Sequence, residues 1–191
     1  MSNVGQHSDS CSSLCGRCVK KNGGQQAQAL GRSKGGFSTK IHVSVDALGN
    51  PLTIVLTGGQ RHDVTQVTEL LADHHSDFVI ADKGYDADHV LESIEATGAI
   101  PVIPGRKNRN DDRYYDTCLY RERHLVECFI NKIKHYRRVF SRFDKLAKRY
   151  LGFLRLASVL IWLVLKNGAY KCDCSPCASN TNLTRVSSSH I

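Results

Sequence analysis

Between Phe37 and Lys166 the chain alternates short apolar runs with turn signals, and the order of those runs limits the folds open to it. Ser38–Val45 and Leu52–Leu56 are β-rich and are joined by a turn holding Asp46, Gly49, Asn50 and Pro51, so they are expected to form a hairpin. Gly58 and Gly59 end the second strand. Val64, Val67, Leu70 and Leu71 keep helical spacing, which predicts a helix over Val64–Ala72 capped by Asp63 or Thr65. Asp77–Ala81 reads as a buried strand closing on Asp82. Ala87–Ala96 reads as a helix with Val90, Leu91 and Ile94 on one face and Gly98 as its stop. Ala99–Ile103 is a second buried strand, ended by Pro104 and Gly105. A polar, basic loop over 105–118 leads to helices over about Leu119–Phe140 and Asp144–Lys166. Hairpin, helix, strand, helix, strand, helices describes an α/β chain with a mixed sheet and helices packed on it. There is no internal repeat.

The two ends differ from this body. Residues 1–30 are rich in Ser, Gly, Gln and Cys and read as disordered, as do residues 167–191. That leaves 31–166 as the folded domain. No charged start precedes an apolar core at the N-terminus, so no signal peptide is expected. The run Leu151–Leu165 is short for a membrane span and is interrupted by Gly152 and Arg155, so a buried amphipathic helix and a cytoplasmic protein are expected.

Of eight cysteines, Cys118 and Cys128 are isolated and read as small hydrophobes. The other six are Cys11, Cys15, Cys18, Cys172, Cys174 and Cys177, and two pairs have zinc-knuckle spacing. Their tails carry no periodic structure, which argues against a joint zinc site. The absence of an export signal argues against a disulfide scaffold.

The formal net charge of +8 is unevenly distributed. Residues 121–150 hold ten Lys/Arg against three acids, whereas residues 41–120 hold six against thirteen. An acidic body beside a basic helical arm fits a polyanion partner. Lys132, Lys134, Arg137 and Arg138, continued by Arg142, Lys145, Lys148 and Arg149, fit a phosphate-tracking surface, with a solvated helical face as the alternative.

Within that arm Tyr120, Arg123, Glu127 and Lys134 stand at offsets 0, 3, 7 and 14. On one helix they fall within about 60° of one another, while Val126, Phe129, Ile130 and Ile133 lie roughly 100° away and can face a core. One acid among cations suits a site that holds a metal and grips phosphate. An ordinary salt-bridge face with Arg123 and Glu127 as an i,i+4 pair is the competing reading. Asp82 ends a strand and opens Asp82-Lys83-Gly84-Tyr85-Asp86. Ligand crevices of open α/β sheets lie outside the carboxyl ends of strands, and Gly84 would let backbone approach a ligand. In the same segment Asp86 is placed to cap the following helix, and a turn-forming Asp82 is the alternative to a metal-binding one. Asp82 and Glu127 could both hold Mg²⁺ if the helix carrying Glu127 packs against the strand ending at Asp82. His62 and Asp63 read as the start of a helix, and His74, His75, Asp111 and Asp112 as exposed loop residues.

The pattern Tyr120-x2-Arg123-x3-Glu127-x6-Lys134 resembles the signature of bacterial insertion-sequence transposases with a DDE catalytic domain. Gly23–Gly36, Val45–Leu52, Gly58–Asp63, Asp82–Asp86 and Tyr150–Trp162 resemble segments of insertion-sequence family five in particular, so the likeness runs from about Asn22 to Lys166. The resemblance implies a ribonuclease-H-like fold with three acids: one on the first strand before the hairpin, one ending the fourth strand, one on a late helix. It matches Asp82 to the second acid and Glu127 to the third, and it implies that Tyr120, Arg123 and Lys134 contact DNA near the cleaved phosphate. It further implies Mg²⁺ or Mn²⁺ as cofactor, double-stranded DNA (terminal repeats and target) as partner, homo-oligomer formation as an option, and a location with the bacterial nucleoid.

One part of the pattern is missing. Where the family has an apolar strand carrying the first acid, this chain has His7 to Val19, with Asp9-Ser10 but no strand pattern. Asp46 belongs to the hairpin turn. The first strand is therefore expected to be missing or degraded, in a truncated or frame-disrupted copy or the downstream product of two frames that must be fused. The DNA-recognition region that usually precedes the catalytic domain is also absent on this reading. The leading expectation is a transposase, inactive or nearly so alone. A non-catalytic DNA-binding derivative is the alternative, and a zinc-stabilised module a weaker third.

Overall fold

The computed structural model describes residues 24–33, 36–72, 74–106, 114–166 and 183–190. Its elements in order are α1 (Gly24–Ala27), β1 (Gly31–Ser33), β2 (Gly36–Val45), β3 (Pro51–Gly58), a 3₁₀ turn (Asp63–Gln66), α2 (Val67–Leu71), β4 (Phe78–Ala81), a 3₁₀ turn (Lys83–Tyr85), α3 (Asp88–Ala96), β5 (Ile100–Val102), α4 (Thr117–Arg121), α5 (His124–His135), α6 (Arg137–Phe140), α7 (Ala147–Lys166) and β6 (Leu183–His190).

The hairpin forms where the sequence places it. Asp46 organises its turn: Oδ1 accepts from the N–H groups of Leu48 and Asn50 at 2.8 Å each, and Oδ2 accepts from Asn50 Nδ2 at 2.9 Å. Gly49 supplies the left-handed φ of 79° the turn needs. β2 pairs antiparallel with β1 through 36–38 and with β3 through 39–45. Its other side is not an edge. β6 pairs antiparallel with β2 and parallel with β4, and β4 pairs parallel with β5, giving the mixed sheet its order β2-β6-β4-β5.

Helices cover both faces of this sheet. On one, Val67, Leu70 and Leu71 of α2 and Val90, Leu91 and Ile94 of α3 pack with Val79, Ala81 and Val186. On the other, Val126, Phe129, Ile130 and Ile133 of α5 and Tyr150, Leu154 and Ile161 of α7 pack with Ile41, Val43, Val45 and Ile54. A smaller cluster joins Ile80, Val102 and Leu183 beneath Leu119 and Tyr120. The α5 apolar set is thus buried as its spacing requires, and so is that of α3, which stops at Gly98 with φ 81°.

Several expectations need correction. The segment 167–191 is not uniformly a disordered tail: Leu183–His190 is a strand in the middle of the sheet, with Leu183, Arg185 and Val186 buried. The slot expected to lack its strand is filled by it. Order also begins before residue 31, with α1; Thr39 Oγ1 and the Arg142 guanidinium bind carbonyl oxygens at Gln28 and Ala29, just after it. The long helix over 119–140 is three pieces, broken at Glu122–Arg123 and at Tyr136, where ψ reaches 67°. α2 has neither an Asp63 nor a Thr65 cap, because a 3₁₀ turn precedes it and starts after His62. Cys118 is exposed, not a packed hydrophobe. α7 buries one face only: Phe153, Leu156, Val159, Leu160 and Leu163 point outward, 41–56% exposed. Among the described residues no helix is long and apolar enough to cross a membrane. The six clustered cysteines, Asp9, Asp111 and Asp112 lie outside the described residues.

Candidate nucleic-acid and acid site

Asp82 stands where β4 gives way to the Lys83–Tyr85 turn. Its Oδ1 caps that turn, accepting from Lys83 N at 2.8 Å, and lies 3.4 Å from the Tyr120 hydroxyl that donates to it. Capping and cleft-facing are therefore one arrangement. Asp86 does not cap α3, whose N-cap is Ala87; its Oδ2 accepts from Arg106 N at 2.8 Å instead. The Arg106 guanidinium also donates to the carbonyls of Lys83 and Gly84 at 3.2 and 2.8 Å. This fixes the turn after Asp82 from behind. A side-chain carbon at Gly84 would meet only Asp63 Oδ2 at 3.7 Å, so no close backbone approach depends on that glycine.

The break between α4 and α5 does not scatter the four signature side chains. Arg123 sits at the N-cap of α5 with helical φ and ψ, so Tyr120, on α4, and Glu127, one turn on, stay beside it. The Arg123 guanidinium lies 5.8 Å from the Tyr120 ring centre, and its Nη2 is 2.8 Å from Glu127 Oε1. The i,i+4 pair is thus real and coexists with the site. Tyr115 meets Tyr120 edge-on at 5.5 Å. Burial raises the Tyr120 pKa, Arg123 opposes the rise and Asp82 adds to it, which keeps this phenol a donor toward Asp82.

Asp82, Arg123, Glu127, Asn131 and Lys134 line one open cleft of about 380 Å³, together with Ser187, Ser188 and Ser189 of β6. Glu127 is open to solvent, its side chain 54% exposed. Lys134 Nζ donates to Asn131 Oδ1 at 3.2 Å and lies 5.9 Å from the Phe140 ring. Two acids, two cations and amide and hydroxyl groups in an open polar cleft match a phosphate backbone better than an apolar ligand. The remaining basic candidates divide. Arg137 and Arg138 are exposed and Lys132 half-exposed, but none lines the cleft. Arg142 faces inward, donating to the carbonyls of Gln28 at 2.6 Å and Ala29 at 3.0 Å and lying over the Tyr150 ring at 5.3 Å. It is a structural cation.

The opposite face of the sheet carries a second polar group. Lys40, largely buried, places Nζ 2.9 Å from Asp63 Oδ1 and 3.1 Å from the Arg61 carbonyl, and His42 Nε2 is 2.7 Å from Thr57 Oγ1. Asp63 therefore does more than begin a helical turn: it neutralises a buried lysine. His74, read as an exposed loop residue, is half-buried and bonds Thr53 Oγ1 at 2.9 Å. Sequence reasoning missed the β6 serines altogether. A run of three serines in a Ser/Asn-rich stretch carries no signal of a central strand.

A family model of the transposase DDE domain matches residues 10–163. A protein assigned as the transposase for insertion sequence element IS6501 of Brucella ovis is 42% identical over 132 residues, covering 66% of this chain and 99% of that protein. One assigned as the transposase for IS402 of Burkholderia cepacia is 32% identical over 141 residues, covering 67% of this chain and 64% of that protein. No solved structure matches. The narrower placement in insertion-sequence family five gains no support from these relatives.

Proposed function

This chain belongs to the transposase DDE-domain family, and we propose that it is the catalytic-domain portion of an insertion-sequence transposase that holds DNA in the cleft between β4, β6 and α5 but, among its described residues, brings too few acids there to cleave strands efficiently alone. The observation behind this reading is the convergence on one cleft of Asp82, from the end of β4, with Arg123, Glu127 and Lys134 from α5. Arg123 and Lys134 supply cations for phosphate oxygens, Tyr120 orients Asp82, and the exposed Arg137 and Arg138 extend the basic surface past the cleft. Terminal-repeat and target DNA are the duplexes such a protein engages, which places it with the nucleoid.

The family as a whole is divalent-metal dependent, so the donor set bears on activity. Mg²⁺ needs one or two carboxylates plus water and phosphate oxygens, while a two-ion centre asks for carboxylates from several elements. Here Asp82 Oδ1 is engaged with Lys83 and Tyr120, Glu127 is engaged with Arg123, and among the described residues no three His, Cys, Asp or Glu converge. These residues do not fit a two-ion centre. The short acid set also favours the second reading, a DNA-binding derivative that has lost catalysis.

Incubating the full chain with terminal-repeat DNA and Mg²⁺ or Mn²⁺ should give slight nicking or none, beside clear DNA binding in a mobility-shift assay. Glu127→Gln should remove any residual nicking while leaving DNA affinity equal or higher, since it deletes a negative charge near phosphate. Residual activity lost in this variant selects the transposase reading, and no activity in either protein selects the derivative. Robust nicking by the unaltered chain would overturn the claim of an insufficient acid set, and absence of DNA binding would overturn both readings.

A further inference from the structure

The segment that fills the slot between β2 and β4 comes from far along the chain, and its register sets Ser187 beside Asp82 in the cleft. Val43 of β2 lies opposite Ser187, and Ala81 of β4 opposite Val186, so β4 reaches Asp82 beside Ser187. Leu183 packs with Ile80 and Val102, and Arg185 pairs with Glu122, both on the α4–α5 face. Val186 packs with Val79, Ala81 and Tyr85 on the other face. Strand alternation then turns Ser187 toward the same side as Arg185, where Asp82 and Glu127 line the cleft.

We propose that Ser187 occupies the third corner of the acid site, so that β6 completes the sheet yet leaves a hydroxyl where a carboxylate would be needed to hold divalent cations. This rests on reading the cleft as the family's acid site. A neutral serine oxygen brings no charge to offset a dication, whereas hard cations take carboxylate oxygens by preference. The same strand that rescues the fold therefore weakens the site, and a single side chain separates the present cleft from a three-acid one.

The test is Mn²⁺ titration of the full chain by calorimetry, with the Mn²⁺-dependent shift in melting temperature as a second readout. Ser187→Asp should tighten Mn²⁺ binding by about tenfold or more. Adding Glu127→Gln to that variant should abolish the gain. Thr68→Asp, which adds the same charge on an exposed turn of α2, should not reproduce it. Unchanged affinity in a folded Ser187→Asp variant, or an equal gain from Thr68→Asp, overturns the assignment. If Ser187→Asp does not fold, the nearly isosteric Ser187→Cys is titrated with Cd²⁺. A thiolate–Cd²⁺ absorption above the unaltered chain's background, lost on adding Glu127→Gln, supports the assignment, and no added absorption refutes it. DNA affinity measured on the same samples keeps the two failures apart. Its absence removes the transposase reading, whereas an absent cation gain with DNA binding intact removes only the role of Ser187.

Discussion

Tyr85 and Tyr150 show how far burial alone sets a residue's chemistry in this fold. Both are about 1% exposed, and burial is the largest cause raising each phenol well above its ordinary value of 10.0; for Tyr85 the charges of Asp63 and Asp82 add to it. A raised folded value means that above pH 10 the native state keeps its phenol neutral while the unfolded chain gives up the proton. The stabilisation is complete below pH 10, where the unfolded chain is also neutral, and is lost as pH climbs from there toward the folded values. Melting temperature should therefore fall above pH 10, and Tyr85→Phe should flatten that fall. An unaltered alkaline slope in this variant would show that Tyr85 is not a source of it. At the same scale, the acid and basic signature was readable because offsets of three, four and seven residues keep side chains on one helical face. Asp82 was readable because an acid closing an apolar run marks a strand end. Ser187 was not, because its position depends on pairing partners more than a hundred residues away.

At the scale of elements, Arg185 is the residue that makes β6 an unexpected strand. Its side chain is fully buried, its Nη1 donates to the Asp46 carbonyl at 2.7 Å, and its Nη2 pairs with Glu122, only 14% exposed. Burial lowers the Arg185 pKa and Glu122 opposes that, yet the guanidinium remains charged because its ordinary value is so high. Removing one member of a buried pair strands the other, at a cost of about 3–5 kcal/mol. Glu122→Ala should lose stability on that order in denaturant titration, and Glu122→Leu combined with Arg185→Met should recover most of it. Equal losses for the single and double variants would mean the pair does not couple β6 to α4. This bond also accounts for what could not be read beforehand. Leu183-Thr184-Arg185-Val186-Ser187-Ser188-Ser189-His190 has little β-propensity of its own, and it becomes a strand because β2 and β4 offer it unpaired backbone on both sides. The hairpin, β4, α3 and β5 were legible because each carries its own periodicity and stop signals. The breaks at Glu122–Arg123 and Tyr136 were not, since no Gly or Pro marks them.

For the whole molecule the governing feature is the separation of charge. Residues 121–150 carry ten Lys/Arg and three acids, and they build α5, α6 and the start of α7, whereas residues 41–120 carry six Lys/Arg and thirteen acids. Such a surface binds duplex DNA largely by releasing condensed counterions, so affinity should fall linearly with salt on logarithmic axes. The slope counts phosphate contacts, at about 0.9 per contact on duplex DNA, and so identifies which cations face the backbone. Lys134 lines the cleft, and Lys134→Gln should lower the slope by about that amount while leaving stability near that of the unaltered chain. Arg142 is equally cationic but spends its guanidinium on carbonyl oxygens at Gln28, Ala29, Asp144 and Lys145. Arg142→Gln should therefore lower the melting temperature and leave the slope unchanged at temperatures where the variant is folded. If Arg142→Gln changed the slope as much as Lys134→Gln, the basic arm would be acting as a diffuse field. The salt dependence would then say nothing about a defined track of phosphates through the cleft.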